Sequence, residues 1–97
     1  MPDQPKLIWE PGALDDLTRL REFIQPHNPK AAGNAAKAII GAASLLLEHP
    51  HLGHPMDDLP EFNKLFIPFG RRGYVLRYRI DGETIVILRV WHGREGR

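Results

Sequence analysis

Gly73-Tyr74-Val75-Leu76-Arg77-Tyr78-Arg79-Ile80-Asp81-Gly82-Glu83-Thr84-Ile85-Val86-Ile87-Leu88-Arg89-Val90-Trp91-His92 is the stretch that decides the fold of this 97-residue chain. Two runs of alternating large apolar and polar residues flank Asp81-Gly82. That dipeptide between such runs is the strongest short-range hairpin signal, because a tight turn needs residues that tolerate positive φ. A two-residue turn there sets Ile80 opposite Glu83, Tyr78 opposite Ile85, Leu76 opposite Ile87 and Tyr74 opposite Arg89. Side chains alternate along each strand. One face then carries Tyr74, Leu76, Tyr78, Ile80, Ile85, Ile87 and Trp91, the natural seat for helices. The other carries Arg72, Val75, Arg77, Arg79, Thr84, Val86, Leu88, Val90 and His92, apolar in the middle and ringed by cations. Such a face suits a groove that receives another chain, or an RNA backbone.

Working back toward the N-terminus, Phe62 to Phe69 reads as a preceding strand, with Pro68 restricting its end to an edge or bulge. By alternation Lys64 joins the cationic face. Between His49 and Glu61 lies a proline-rich loop, with Leu52, Met56 and Leu59 expected to pin it. Asn28-Pro29 reads as an N-cap followed by a first-turn proline. The helix it opens runs to about Glu48, with Ala32, Ala35, Ala36, Ile39, Ala42, Ala43 and Leu46 on one face. So many alanines allow a close helix neighbour, hence an αα-hairpin. The partner helix starts near Ala13 and ends at Pro26. Its stripe is Leu14, Leu17, Leu20, Phe23 and Ile24, while Asp15, Asp16, Arg19 and Glu22 face water. Ahead of it, Lys6 to Glu10 is a short strand stopped by Pro11-Gly12. The fold class is α+β: an N-terminal strand and an αα-hairpin packed on one face of a mainly antiparallel sheet, in one domain spanning 1–97.

Composition places the chain among ordinary globular proteins, at 42% hydrophobic and 26% charged. There is no cysteine, no signal-peptide pattern and no apolar run long enough for a bilayer, so a cytoplasmic protein without membrane contact is expected. The net charge of +1 hides an asymmetry. Residues 1–61 carry five Lys/Arg against nine Asp/Glu, whereas residues 62–97 carry eight against three. Seven of those eight cations are arginine, the side chain suited to bidentate contact with carboxylate or phosphate. An anionic partner for the second half follows.

Catalytic signals are sparse. The single serine, Ser44, lies in a helix, and the neighbouring acids Asp15-Asp16 and Asp57-Asp58 suit helix starts and turns. His49, His51 and His54 lack the paired spacing of a metal site and read as surface histidines. No phosphate-cradling glycine loop appears, so neither cofactor nor metal is expected. Any chemistry would be acid–base work on RNA by His92, with Arg72, Arg77 or Arg79 stabilising phosphate charge.

The Trp9-Glu10-Pro11 start, Asn28-Pro29, the His49-Pro50 stop and the hairpin ending Val90-Trp91-His92-Gly93-Arg94 together resemble the RelE/ParE superfamily of type II toxins, also called plasmid-stabilisation proteins. The resemblance implies a growth-inhibiting toxin neutralised by a small, acidic antitoxin encoded beside it. RelE-like members cut mRNA on the ribosome; ParE-like members inhibit DNA gyrase. Nuclease members often show Gly-Tyr-Arg-Leu-x-Tyr on the middle strand, but Gly73-Tyr74-Val75-Leu76-Arg77-Tyr78 places Val75 in the arginine slot. No tyrosine follows Tyr78, and His92-Gly93-Arg94 resembles the ParE-like ending, although His92 also matches a histidine of some nucleases. The ParE-like branch is favoured, with a RelE-like mRNA endonuclease as the alternative. The residues expected to hold the partner are Val75, Arg77, Arg79, Val86, Leu88, Arg89, Val90, His92 and Arg94.

Overall fold

A computed structural model describes residues 5–24 and 28–93. The elements run β1 (Lys6–Trp9), α1 (Pro11–Ile24), α2 (Pro29–Leu45), β2 (His54–Pro55), β3 (Asn63–Ile67), β4 (Tyr74–Asp81) and β5 (Thr84–His92). The strands form one sheet in the order β1-β5-β4-β3-β2. Every neighbouring pair is antiparallel except β1 with β5, which is parallel. The α+β architecture therefore stands, with one addition: the proline-rich loop contributes the two-residue edge strand β2.

The αα-hairpin covers one sheet face. In α2 the Asn28 side chain accepts the Ala31 N–H at 3.0 Å, with Pro29 in the first turn, a cap worth about 1 kcal/mol. Ala32, Ala35, Ile39, Ala43 and, just beyond the helix, Leu46 are buried. That spacing keeps one stripe toward the sheet. Ala35, Ile39, Ala43 and Leu46 meet Leu65, Ile67, Tyr74, Leu76, Tyr78, Ile85, Ile87 and Val90 in one core. Helix α1 differs from its expected stripe. Ala13, Asp16 and Leu20 are its buried positions, with Leu17 packed at the core's margin. Leu14 and Phe23 are exposed, at 51% and 78%. The stripe is rotated because Asp16, expected in water, is turned inward to the sheet. The Ile24 side chain and Pro26 lie outside the described residues.

The hairpin turn also departs from expectation. Its two loop residues are Gly82 and Glu83, closed by the pair Asp81↔Thr84. Gly82 has φ 61°, and no described non-glycine residue has positive φ. A turn on Asp81-Gly82 would have demanded positive φ of the aspartate. With glycine first, only the residue that can adopt it freely does so, the pattern of a II′ turn. Ile80 therefore pairs with Ile85 and Tyr78 with Ile87, rather than with Glu83 and Ile85. This two-residue offset leaves every side chain on its expected face.

A second departure does change faces. Between Tyr78↔Ile87 and Arg77↔Arg89 the register slips by one, leaving Leu88 as the extra residue of a β-bulge. Beyond it Leu76 pairs with Val90, Val75 with Trp91 and Tyr74 with His92. Val90 is fully buried in the helix-side core, where the unbulged register would have placed Trp91.

Leu52 and Leu59, expected to pin the proline-rich loop, are 46% and 40% exposed. A buried hydroxyl holds it instead. Tyr78 Oη donates to Pro50 O at 2.8 Å and accepts the Gly53 N–H at 3.0 Å. Below that clamp the Met56 N–H donates to Phe62 O at 2.9 Å.

Candidate partner-binding face

The sheet face away from the helices is built by alternation. Leu7 and Trp9 pack on the core, so Ile8 points to the open face. Leu65 and Ile67 are core, so Lys64 and Phe66 are open. On β4 the open positions are Val75, Arg77 and Arg79, and on β5 they include Val86 and, after the bulge, Trp91. This face has an apolar floor and a cationic surround, as expected, but its membership differs.

Trp91 is only 3% exposed although it lies outside the helix-side core. The Arg77 guanidinium stacks over its ring, 5.2 Å from the centroid. A cation desolvated on an indole face is held by the ring quadrupole. The Arg77 Nε is buried and has no hydrogen-bond partner. Phe66 is 58% and Ile8 48% exposed on the same face, two apolar surfaces absent from the expected partner-binding set.

Val90 belongs to the core and so offers no surface, a correction to its expected place among the partner-binding residues. His92 meets the Tyr74 ring edge-on at 5.4 Å, on the helix side. It does not share the face of Arg77 and Arg79, because the bulge inverts the last part of β5. Leu88, half-buried, is the bulge residue itself. Arg72 is exposed in the β3–β4 connection rather than on a strand. Arg94 lies outside the described residues. Val75, Arg77 and Arg79 are brought together as expected, with Val86 buried beside them.

Arg89 reaches off the sheet edge. Its Nε and Nη2 donate to the two carboxylate oxygens of Asp16 at 2.8 and 3.1 Å. The same carboxylate accepts the Val90 N–H at 2.9 Å. Strand β1 stops at the partner of Ile87, so the β5 amide beyond it lacks a strand neighbour. Asp16 supplies the missing acceptor. Burial pushes its pKa up, but the hydrogen bonds from Arg89 and Val90, the Arg89 charge and Arg19 outweigh it and hold the carboxyl below its ordinary value. Sequence reasoning missed this residue because an aspartate early in an amphipathic helix has a ready explanation in the helix dipole.

His49 and His51 are exposed in the proline-rich loop and His54 on β2. Among the described residues no helix is long and apolar enough to cross a membrane.

Two helices on one face of a mixed sheet, with a cationic open face behind them, define a small α+β fold. A family model described as the ParE toxin of the type II toxin–antitoxin system parDE matches residues 7–96. The chain belongs to this family. Among curated proteins of Caulobacter vibrioides it is 37% identical to Toxin RelE3 over 90% of its length and 92% of the relative's. It is also 34% identical to Toxin RelE1, covering 88% and 89% of the two chains. A solved chain from a chromosomal ParDE system of P. aeruginosa shares the fold, with a TM-score of 0.77 at 23% identity over 92% of this chain and 96% of that one. The membership in the RelE/ParE superfamily, implied by the sequence motifs, is thereby shown.

Proposed function

We propose that this toxin inhibits DNA gyrase in the cytoplasm and is held inactive by a small, acidic antitoxin encoded beside it. The observation that carries this reading is the separation of His92 from the arginines. RNA cleavage needs an acid–base group and a charge-stabilising cation at one phosphate. Here His92 packs edge-on to Tyr74 on the helix side, while Arg77 and Arg79 stand on the other face. Val75 occupies the strand position where nuclease members often carry arginine. A surface that binds without cutting fits this arrangement better.

The antitoxin contacts the open face through Val75, Arg77 and Arg79 over the buried Val86, with Phe66 and Ile8 widening the apolar seat. Leu88 and Arg89 border it. The name of the ParDE neighbour supports a partner of this kind. Purified protein assayed on gyrase supercoiling and cleavage, beside translation of a reporter mRNA in vitro, tests the reading. Inhibited supercoiling with intact mRNA is expected. Cleaved mRNA with normal supercoiling would instead establish the alternative, a RelE-like ribosome-dependent mRNA endonuclease.

A further inference from the structure

Helix α2 carries a second stripe, directly opposite the one that packs on the sheet. Lys37, Ile40, Gly41, Ser44 and Leu45 are all exposed, and so is Glu48 just beyond the helix. The Leu46, Leu47 and Glu48 amides donate to the Ala43, Ser44 and Leu45 carbonyls at 3.1, 3.2 and 3.1 Å, so the helical path continues through Glu48. The spacing of these six positions puts them on one face. Ile40 and Leu45 are 48% and 49% exposed, and together they form an apolar flank to a helix side that would otherwise be polar. Gly41 sits between them in the helix interior, where glycine is less favourable than alanine. A Cβ there would meet nothing within 4 Å, so no contact of this chain accounts for the glycine. A close approach from outside would.

The order of residues along this stripe is self-complementary. With two copies of α2 antiparallel, a two-fold axis at the level of the Ala42–Ala43 peptide sets Lys37 opposite Glu48 of the second copy. The same axis sets Ile40 opposite Leu45 of the second copy, and Gly41 opposite its Ser44. Each pair matches in kind: cation with anion, aliphatic with aliphatic, small with small. Gly41 and Ser44 at the centre let two backbones come close, while Ile40 and Leu45 close over the seam on either side. Lys37 and Glu48 stand about three turns apart on their own helix, too far to pair there. Neither has an ion pair among the described residues. A parallel arrangement would set like charges together. We propose that this stripe is an isologous interface, through which the chain forms an antiparallel α2–α2 dimer with a second copy of itself. A single helix pair buries little area, so the dimer is a reversible one. It lies on the far side of the helices from the open sheet face, which both copies keep free.

Sedimentation equilibrium of the full chain over about 1–200 µM spans the affinities expected of so small an interface. The wild type should shift from the mass of one chain toward twice that mass. Gly41→Lys sets a long side chain in the seam yet improves helix propensity, so it should abolish the shift while the thermal midpoint is held or raised. Lys37→Glu and Glu48→Lys each set like charges opposite one another at both ends of the seam. Each should weaken the dimer about fivefold or more at low salt. The double variant should return to within about twofold of the wild type. A wild type of one-chain mass throughout would overturn the proposal. So would a dimer indifferent to Gly41→Lys, which would place the contact on another surface. Charge variants that fail to rescue one another would overturn the antiparallel register. A monomeric wild type whose complex with the product of the adjacent reading frame is weakened by Gly41→Lys would overturn the dimer and give the stripe to that partner.

Discussion

Asp16 on α1 and Arg89 on β5 form a bidentate pair across the edge of the sheet, and Asp16 also accepts the Val90 N–H next in sequence. One carboxylate thus fastens helix to strand at the position where β1 ends and the Leu88 bulge has just reversed the faces of β5. Replacing Asp16 with alanine removes the acceptor of the Val90 amide and one partner of Arg89. Since Arg89 is half-exposed and can rehydrate, the expected loss is about 1–3 kcal/mol, chiefly from the unsatisfied amide. Urea unfolding of Asp16→Ala should show a lowered midpoint with an unchanged slope.

The same pair gives stability a definite pH dependence. The Asp16 carboxyl in the folded protein is held below its ordinary value of 3.8. A depressed folded-state pKa contributes stability that is fully present above the unfolded value and is lost as pH falls through the folded one. The urea midpoint of the wild type should therefore fall on acidification below about pH 4. The fall should be shallower in Asp16→Asn. Equal slopes for the two proteins would remove Asp16 as the cause.

Tyr78 supplies a second point of attack. Its hydroxyl joins the Pro50 carbonyl and the Gly53 amide beneath the proline-rich loop. Tyr78→Phe leaves both without that partner at a cost of about 1–3 kcal/mol. Amide exchange at Gly53 should accelerate while that of the central strands follows global stability only. Gly53→Ala should be worse, since a Cβ there would lie 2.5 Å from Lys64 O and 2.8 Å from the Tyr78 hydroxyl. Thermal melts of the two variants would rank them.

His92→Ala separates the two proposed targets. Under gyrase inhibition the substitution removes an edge-on aromatic contact with Tyr74, costing about 1 kcal/mol of stability. Inhibition of supercoiling per folded molecule should stay within about twofold, a change below half a kcal/mol. A fall in mRNA cleavage with folding intact would instead mark His92 as catalytic.

These results show where sequence was a sufficient guide and where it was not. Alternation in β4, the capped alanine-rich α2 and the Asp81-Gly82 signal all pointed to the correct architecture, because each expresses a strong local preference. The turn position was missed by one residue because Asp-Gly permits two placements, and only backbone φ decides between them. The bulge left no mark in sequence. Leu88 is as ordinary a strand residue as its neighbours, and the extra residue is admitted by Val90 filling the core and by Asp16 meeting the freed amide. Both conditions are tertiary. The binding face was therefore legible up to Ile87 and inverted beyond it, which is why Val90 and His92 were placed on the wrong side and Trp91 with them. Phe66 could have been found: alternation from Leu65 puts it opposite the core, and an exposed phenylalanine beside a lysine on the same face is a surface that water alone does not explain.

The parallel pairing of β1 with β5 sets an order on synthesis. Lys6 to Trp9 find their strand neighbours only at Thr84 to Ile87, almost the whole length of the chain later. Joining ends so distant is the slow class of event in folding, since loop entropy is lost before any contact rewards it. While the chain is being translated, the N-terminal strand and the helices must wait beside an unfinished sheet. The open face exists as a surface only once the final strand has left the ribosome. Before that moment the nascent chain cannot display the Arg77–Trp91 stack, so that surface is assembled only after β5 has been made.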